Sequence, residues 1–394
     1  MRMTPLRLAL IGCGGMAHYH VRSYAELAAK APGRFEIVAA CDIDTERAGA
    51  LAAQVAQFQD GRAPAVFDDY RPMLDEVQPD AADLVLPHFR HHSIARDCLE
   101  AGAHVLVEKP LALTMRAGRL MLDAAHRSGK LLAVAEQERR SVASRTLHWA
   151  IHRARLIGEP RMIFAQNVRY SLGVTVGTPW RHDKLVAGGG WVLDGEVHAM
   201  DLLRYLFGDV DEVYARLGSH EPTRYFDHQH LRDPVPSNVE DAATAILTFA
   251  CGVVATFSWT SAAPGRGFSH RRYFGSEGSL DTDALVRKDG RETPFAELRE
   301  QFLRSLAVDE RERLFPAGIT DAITIELYDF LEAVRTGRRP EIDGKEGLRD
   351  MAVCEALYES DAVRQAVKVA DVLDGSVDAY QRLIDAHWGL LPRQ

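Results

Sequence analysis

Two polar residues interrupt an apolar helical pattern in the middle of the chain. Asp194 and His198 stand four residues apart in the segment 188–209, GGGWVLDGEVHAMDLLRYLFGD, and this spacing predicts that both lie on one face of a single amphipathic helix. An imidazole, whose unperturbed pKa is near neutrality, can accept a proton beside such a carboxylate. The alternative is a capping Asp and a packed His, so the choice depends on what else the chain supplies.

A glycine-rich turn near the start indicates a dinucleotide site. Residues 12–17, GCGGMA, lie between the apolar run 8–11 and a predicted helix. Gly12 permits a tight turn, Gly14 lets the backbone approach a pyrophosphate, and Ala17 keeps the helix close to the strand. The predicted cofactor contacts in this turn are Gly12, Gly14, Gly15, Met16 and Ala17.

Asp42, at the end of the second predicted strand (35–41), favours NAD as the cofactor. Its carboxylate could bind the adenosine ribose hydroxyls and would repel the 2′-phosphate of NADP. Asp42 lies farther from the glycine turn than the usual spacing of about 20 residues, and the loop APGRF can account for the additional residues. A helix N-cap or a loop acid is the alternative for Asp42, and the nearby Arg47 leaves NADP possible.

The order of the predicted elements indicates an α/β protein with two domains. Short apolar runs alternate with helical stretches over the first 136 residues, which predicts right-handed βαβ units and a doubly wound parallel sheet. After about residue 140 the strands become longer, and residues 242–249 and 253–260 read as a hairpin with one apolar face. We therefore predict a Rossmann domain over 1–140 and a second α/β domain over 141–394.

Composition excludes several classes of function. The formal net charge is −9, whereas nucleic-acid-binding proteins usually carry a concentrated basic surface. No apolar stretch approaches the roughly 20 residues that span a bilayer, and the N-terminal apolar run enters a glycine turn rather than a cleavage site. We expect a cytoplasmic protein with no nucleic-acid or membrane partner.

Three motifs together resemble the glucose–fructose oxidoreductase, inositol dehydrogenase and MocA (Gfo/Idh/MocA) family: GCGGMA, HVLVEKPLALT and GGGWVLDGEVH. The resemblance covers nearly the whole chain. It implies an NAD(P)-dependent oxidoreductase that acts on cyclic polyols or sugars. It also implies a C-terminal domain with a large, mostly antiparallel open sheet, which often forms the subunit interface, so a homodimer or homotetramer is expected.

The same resemblance assigns the catalytic residues. Lys109 matches the family's catalytic lysine, and Asp194 and His198 match its acid and its proton-transferring histidine. His198 would then accept the hydroxyl proton, Lys109 would stabilise the developing negative charge, and Asp194 would hold a hydroxyl or orient the imidazole. Without the flanking Glu108 and Pro110, Lys109 would read as a solvated lysine at a strand end.

Further contacts are assigned less directly. Pro87, His91 and Glu108 match or flank positions on the nicotinamide side, although Leu86 stands where the family often has Thr or Ser. The family pattern also suggests a cis peptide before Pro110. Four histidines at 88, 91, 92 and 104 could suggest a metal, but their spacing favours a polar loop and no metal is predicted. The remaining candidates for substrate contacts, each equally consistent with packing between domains, are Trp180, Arg181, His182, Glu136 and Arg139.

The sequence therefore predicts an NAD-dependent dehydrogenase that oxidises a secondary hydroxyl of a cyclic polyol or pyranose-type sugar. Two other functions stay open. One is a regulator of the same fold that binds a dinucleotide without turnover, against which the intact Lys109, Asp194 and His198 argue. The other is an oxidoreductase that retains its cofactor and recycles it with a second sugar.

Overall fold

The computed structural model describes residues 4–391 and divides the chain into two compact units. The first unit contains residues 4–112, 117–141 and 308–347, and the second contains residues 113–116, 142–307 and 348–391. Apart from residues 113–116, the chain stays in the first unit up to residue 141. The segment 308–347 belongs to the first unit, whereas the sequence analysis placed it in the second domain.

The first unit is built on a six-stranded parallel sheet with the strand order β3-β2-β1-β4-β5-β6. This order is that of the dinucleotide-binding Rossmann fold and reverses between β1 and β4. The strands are β1 (Leu6–Ile11), β2 (Phe35–Cys41), β3 (Ala65–Phe67), β4 (Ala81–Leu84), β5 (His104–Glu108) and β6 (Leu132–Ala135).

Helices connect these strands. They are α1 (Gly15–Lys30), α2 (Thr45–Ala56), α3 (Tyr70–Val77), α4 (His88–Glu100) and α5 (Met115–Ser128), followed by a 3₁₀ turn at Glu138–Arg140. The returning segment adds α11 (Val308–Leu314), a 3₁₀ turn (Pro316–Gly318) and α12 (Ala322–Thr336), numbered in chain order. Helix α12 packs against α1, which explains why this segment completes the first unit.

The second unit is built on a nine-stranded mixed sheet with the order β16-β15-β14-β13-β7-β12-β11-β8-β17, in which only β7 and β12 pair in parallel. Strands β9 and β10 form a separate hairpin. The strands are β7 (Pro160–Val168), β8 (Val210–Gly218), β9 (Thr223–Asp227), β10 (Arg232–Pro236), β11 (Ala242–Phe249), β12 (Val254–Thr260), β13 (Phe268–Gly275), β14 (Gly278–Leu280), β15 (Ala284–Arg287), β16 (Glu292–Pro294) and β17 (Val367–Lys368).

The helices of this unit are α6 (Val142–His148), α7 (Lys184–Ala187), α8 (Trp191–Asp194), α9 (Val197–Phe207), α10 (Phe295–Ser305), α13 (Gly344–Val363), α14 (Val369–Asp374) and α15 (Gln381–His387). A π-helical turn (Trp149–Arg153) and two 3₁₀ turns (Thr175–Gly177 and Pro179–His182) complete it. Nine of the eleven residues of α9 are buried, and this helix carries His198. No helix within residues 4–391 has both the length and the hydropathy needed to cross a membrane.

The two faces of the nine-stranded sheet differ. Side chains that alternate inward on β7, β11 and β12 are buried, among them Ile163, Leu247 and Phe257. On the other face, the exposed large apolar side chains are Met162, Phe164, Tyr214, Ile246, Val254 and Phe268. An apolar surface of this kind on several adjacent strands is typical of a protein–protein interface.

We expect this exposed face to hold a homodimer or homotetramer together. Changing Phe164 and Ile246, which are 38% and 49% exposed, to Lys should dissociate the assembly, because charges would then be desolvated in the interface. Light scattering coupled to size exclusion measures the mass. The matched control is Leu383→Lys, at an exposed apolar residue of α15. A wild-type monomer at micromolar concentration would contradict the expectation.

Candidate active site

The turn after β1 has the geometry that the glycine motif predicts. Gly12 has φ of +92°, and a Cβ there would come within 2.1 Å of the Val85 carbonyl oxygen, so two independent constraints require glycine. Ala17 is buried at the start of α1. Gly14 is the N-cap of α1 without a side-chain cap, which leaves the first amides of a 16-residue helix for an anion.

Asp42 braces this turn. One carboxylate oxygen accepts a hydrogen bond from the Cys13 amide at 2.7 Å, and the other accepts from the Asp44 amide at 2.9 Å. The N-cap of α2 is Asp44, which accepts from the amides of Glu46 and Arg47. The capping alternative for Asp42 is therefore wrong, and the carboxylate lies where β2 ends beside the glycine turn.

The residues of the turn fit a dinucleotide. A Cβ placed on Gly14 or Gly15 would meet no protein atom within 4 Å, so the backbone there can be approached closely. The N-terminus of α1 supplies amide donors for a pyrophosphate, and Asp42 supplies acceptors for ribose hydroxyls. Both features lie at the carboxyl ends of β1 and β2, and β1 borders the point between β1 and β4 where the strand order reverses.

A buried histidine that the sequence analysis missed connects α1, β4 and β5, the strand that precedes Lys109. The fully buried His20 of α1 contacts Asp83 of β4 through Nδ1 at 2.8 Å and Glu108 of β5 through Nε2 at 3.1 Å. Burial lowers the pKa of His20, but the two carboxylates outweigh it and raise the pKa well above the usual value. Each ring nitrogen of His20 thus has a carboxylate acceptor, which favours the imidazolium form. Tyr24 also donates to Asp83, at 3.0 Å.

Glu108 also forms a hydrogen bond with the backbone of Lys109. Its second carboxylate oxygen accepts a hydrogen bond from the Lys109 amide at 3.0 Å, and the Lys109–Pro110 peptide is cis, as the family pattern suggests. The side chain of Glu108 thus fixes the backbone that carries the lysine. A direct contact between Glu108 and the cofactor stays a prediction.

His91, another predicted cofactor contact, is fully buried. Its two ring nitrogens lie 2.9 Å from the carbonyl oxygens of Pro110 and Leu86. Burial, reinforced by His88, lowers the pKa of His91 to about 4, so the ring is neutral and donates one proton to one of these carbonyls. His91 therefore braces the segment after Lys109. Pro87 is the N-cap residue of α4, and a cofactor contact at either residue stays a prediction.

Two other polar candidates follow β6. Glu136 is buried and accepts a hydrogen bond from the Glu138 amide at 2.9 Å, and Arg139 is buried in the 3₁₀ turn. Both lie at the carboxyl edge of the parallel sheet. Their role as substrate contacts stays a prediction.

In the second unit, Asp194 and His198 do not share one uninterrupted helix, so that part of the prediction is wrong. Helix α8 ends at Asp194 and α9 begins at Val197. The Trp191 carbonyl accepts from the amides of both Gly195 and Glu196, so the hydrogen-bond ladder slips by one residue. The indole of Trp191 requires glycine at 195, because a Cβ there would come within 2.0 Å of the ring.

Asp194 is held by one of the predicted substrate residues. Arg181 donates its Nε to Asp194 Oδ2 at 2.7 Å, and its guanidinium lies 4.3 Å from the centre of the Trp180 ring. Asp194 is buried, whereas His198 is partly exposed. His182 is buried, and burial, followed by the charges of Arg224 and Arg181, lowers its pKa to about 4. Asp194 is thus a buried, ion-paired carboxylate.

Asp194 lines a cavity of about 410 Å³ that lies entirely within the second unit. Its walls come from the segment after β7, the N-terminus of α8, strand β9 and the end of β12. The indoles of Trp191 and Trp259 form part of the wall. This volume is within the usual range of small-molecule sites, about 300–1,000 Å³.

Comparison with known proteins agrees with this geometry. Residues 6–136 match the oxidoreductase family with an NAD-binding Rossmann fold, and residues 149–281 match the GFO/IDH/MocA C-terminal domain. The chain belongs to the GFO/IDH/MocA oxidoreductase family. Its first unit is accordingly an NAD-binding Rossmann domain, which confirms the predicted family, fold and cofactor.

Individual relatives are similar to this chain over much of its length. D-glucoside 3-dehydrogenase of Escherichia coli is 31% identical over 63% of this chain and 68% of its own length. Levoglucosan dehydrogenase of Pseudarthrobacter phenanthrenivorans is 27% identical over 94% of this chain and 100% of its own. A solved levoglucosan dehydrogenase in complex with NADH and levoglucosan superimposes with a TM-score of 0.72 at 25% identity, covering 93% of this chain and 99% of that one.

The charge of Asp42 should set the preference for NAD. In Asp42→Asn the side-chain oxygen can still accept from the Cys13 amide, whereas the repulsion of a 2′-phosphate is lost. We expect the ratio of kcat/KM for NAD to that for NADP to fall roughly 10- to 100-fold, because repulsion between nearby charges near a surface amounts to a few kcal/mol. Asp44→Asn is the control, and a wild-type preference for NADP would refute the assignment.

The His20 imidazolium should stabilise the first unit in a pH-dependent way. In His20→Gln two buried carboxylates lose their cation, so the free energy of unfolding should fall by about 3–5 kcal/mol. Because the folded pKa is raised, the contribution is complete below about pH 6.5 and declines as pH rises toward the folded pKa. Thermal unfolding of wild type and His20→Gln should therefore show a larger loss of stability in the variant at pH 6 than at pH 9. An equal loss of stability in His20→Gln at both pH values would show that His20 is neutral.

Proposed function

We propose that this protein is an NAD-dependent dehydrogenase that oxidises a secondary hydroxyl of a cyclic polyol or pyranose-type sugar to the ketone. The observation that carries the proposal is Asp194, an ion-paired carboxylate on the wall of a cavity with two indoles, four residues before His198. Apolar sugar faces pack on aromatic rings, and hydroxyls need paired acceptors and donors. The relatives named for D-glucoside, levoglucosan and myo-inositol support the same substrate class.

The glycine turn and Asp42 would hold NAD, which would supply the acceptor for the hydride of the oxidised carbon. The hydroxyl must also lose its proton, and we assign that proton to the imidazole of His198. Lys109 donates a hydrogen bond to the same oxygen and stabilises its developing negative charge. Asp194, whose Oδ2 is held by Arg181, orients a neighbouring hydroxyl or the imidazole.

In this proposal His198 and Lys109 act in different ways on the oxygen of the oxidised hydroxyl. A neutral imidazole can take the proton only near or above its pKa, so the oxidation rate should rise with pH. Lys109 sits directly after Glu108, whose carboxylate fixes its backbone amide. The proposal requires Lys109 and His198 to act on one hydroxyl, and kinetics on each variant tests that requirement.

Replacing His198 or Lys109 by Ala should lower kcat by roughly 10²- to 10⁴-fold, the range for loss of positioned acid–base catalysis. NAD affinity, measured by fluorescence titration, should stay nearly unchanged, because the glycine turn and Asp42 bind the dinucleotide. The profile of kcat/KM against pH should rise between about pH 6 and 8, and this limb should vanish in His198→Ala.

The control variant is His126→Ala, at an exposed histidine of α5 in the first unit. Asp194→Ala should raise KM as well as lower kcat, since its carboxylate binds a hydroxyl. If His198→Ala keeps near-native turnover, the pair is structural and the proposed chemistry is wrong.

A further inference from the structure

The cavity beside Asp194 is lined by more cationic than anionic side chains. Three arginines line it, Arg169, Arg181 and Arg224, against two carboxylates, Asp194 and Glu240. The balance of donors and acceptors decides which ligand such a cavity can satisfy. We call it the Arg169 cavity.

The acceptors of the Arg169 cavity are largely occupied. Glu240 accepts hydrogen bonds from the amides of Gly190 and Val192 at 2.8 and 2.9 Å and from the Tyr358 hydroxyl at 2.9 Å. Burial raises the pKa of Glu240 to about 7, so part of its population is uncharged at neutral pH. Asp194 is paired with Arg181. Neither carboxylate leaves a free negative charge for the arginines.

The donors are only partly occupied. Arg224 is buried and pairs with Asp241 at 3.2 Å, but its Nε has no hydrogen-bond partner within the described residues. The indole Nε1 of Trp259 is likewise buried and unpartnered there. Both side chains line the cavity. A ligand rich in acceptors would complement such walls.

Arg169 supplies the least compensated charge. Its exposed guanidinium lies 5.2 Å from the centre of the Trp191 ring, a cation–π contact, and none of the ion pairs found among residues 4–391 involves it. Its charge also acts on Glu196, which faces Arg271 and His198 as well. Trp191 thus holds in place a cation that can still bind a carboxylate or phosphate through two parallel hydrogen bonds.

We propose that the Arg169 cavity binds an anionic group, a carboxylate or a phosphate, carried by the sugar that the enzyme oxidises. This inference rests on the proposed function, because Asp194 belongs to both the cavity and the proposed catalytic set. Arg169 is the main ligand of the anion, whereas Arg181 and Arg224, which are paired with Asp194 and Asp241, add hydrogen-bond donors rather than net charge. The substrate is accordingly an acidic sugar rather than a neutral one.

Matched pairs of sugars test the proposal. Methyl β-D-glucopyranoside is compared with methyl β-D-glucopyranosiduronate, and D-glucose with D-glucuronate and D-glucose 6-phosphate. Calorimetric titration in the presence of NADH gives Kd, and NADH formation from NAD gives kcat/KM. We expect an acidic member to bind at least tenfold tighter than its neutral partner. In Arg169→Gln the acid-to-neutral ratio of affinities should fall roughly 10- to 100-fold, as for a lost charged hydrogen bond, and Arg169→Lys should retain part of it.

Arg161→Gln is the matched control, since Arg161 is an exposed arginine at the start of β7, the strand that ends just before Arg169. Preference for the uronates identifies a carboxylate ligand, and preference for glucose 6-phosphate identifies a phosphate. Tighter binding of neutral sugars, no binding of any acidic sugar, or an Arg169→Gln ratio equal to that of wild type would overturn the proposal. Arg169-dependent binding of an acid without NADH formation from any sugar would refute the dehydrogenase function and leave the anion site standing.

Discussion

The buried contact of His20 with Asp83 and Glu108 is the constraint on which the first unit depends. One imidazolium connects α1, β4 and β5, so the helix that begins at the glycine turn and the strand that ends at Lys109 share a fixed frame. A charged group this deep is tolerated only when it is paired. Burial raises the pKa of the neighbouring Glu326 well above its usual value, which keeps further negative charge out of the cluster.

The second unit has a similar arrangement of hydrogen bonds beside Asp194. The guanidinium of Arg181 holds Asp194, and Glu240 accepts from the amides of Gly190 and Val192, which begin α8. In each unit a buried or half-buried ion pair or carboxylate therefore fixes the backbone next to a group assigned to catalysis. Precise placement of this kind is what acid–base chemistry and charge stabilisation require.

Local sequence patterns were sufficient to predict many of the strands and helices. The strand over 35–41 and the hairpin arm over 242–249 have the predicted bounds, because continuous apolar runs and strict alternation are local signals. Strand β3 was not predicted, because its three residues are mostly exposed. The break at Gly195 was missed since it depends on packing against Trp191. The contact of His20 with Glu108 spans 88 residues, although a charged Asp83 inside a fully buried strand was a signal that some partner must exist.

Transfer of a carbon-bound hydrogen to NAD is the step on which the proposed chemistry depends, and isotope labelling observes it directly. A sugar that the enzyme oxidises would be prepared with deuterium at its carbon-bound positions and incubated with NAD in ordinary water. Proton NMR of the reduced cofactor then reports the isotope at nicotinamide C4. The dehydrogenase mechanism predicts one deuterium at C4 for each NADH formed, and protium from solvent at that position would contradict it.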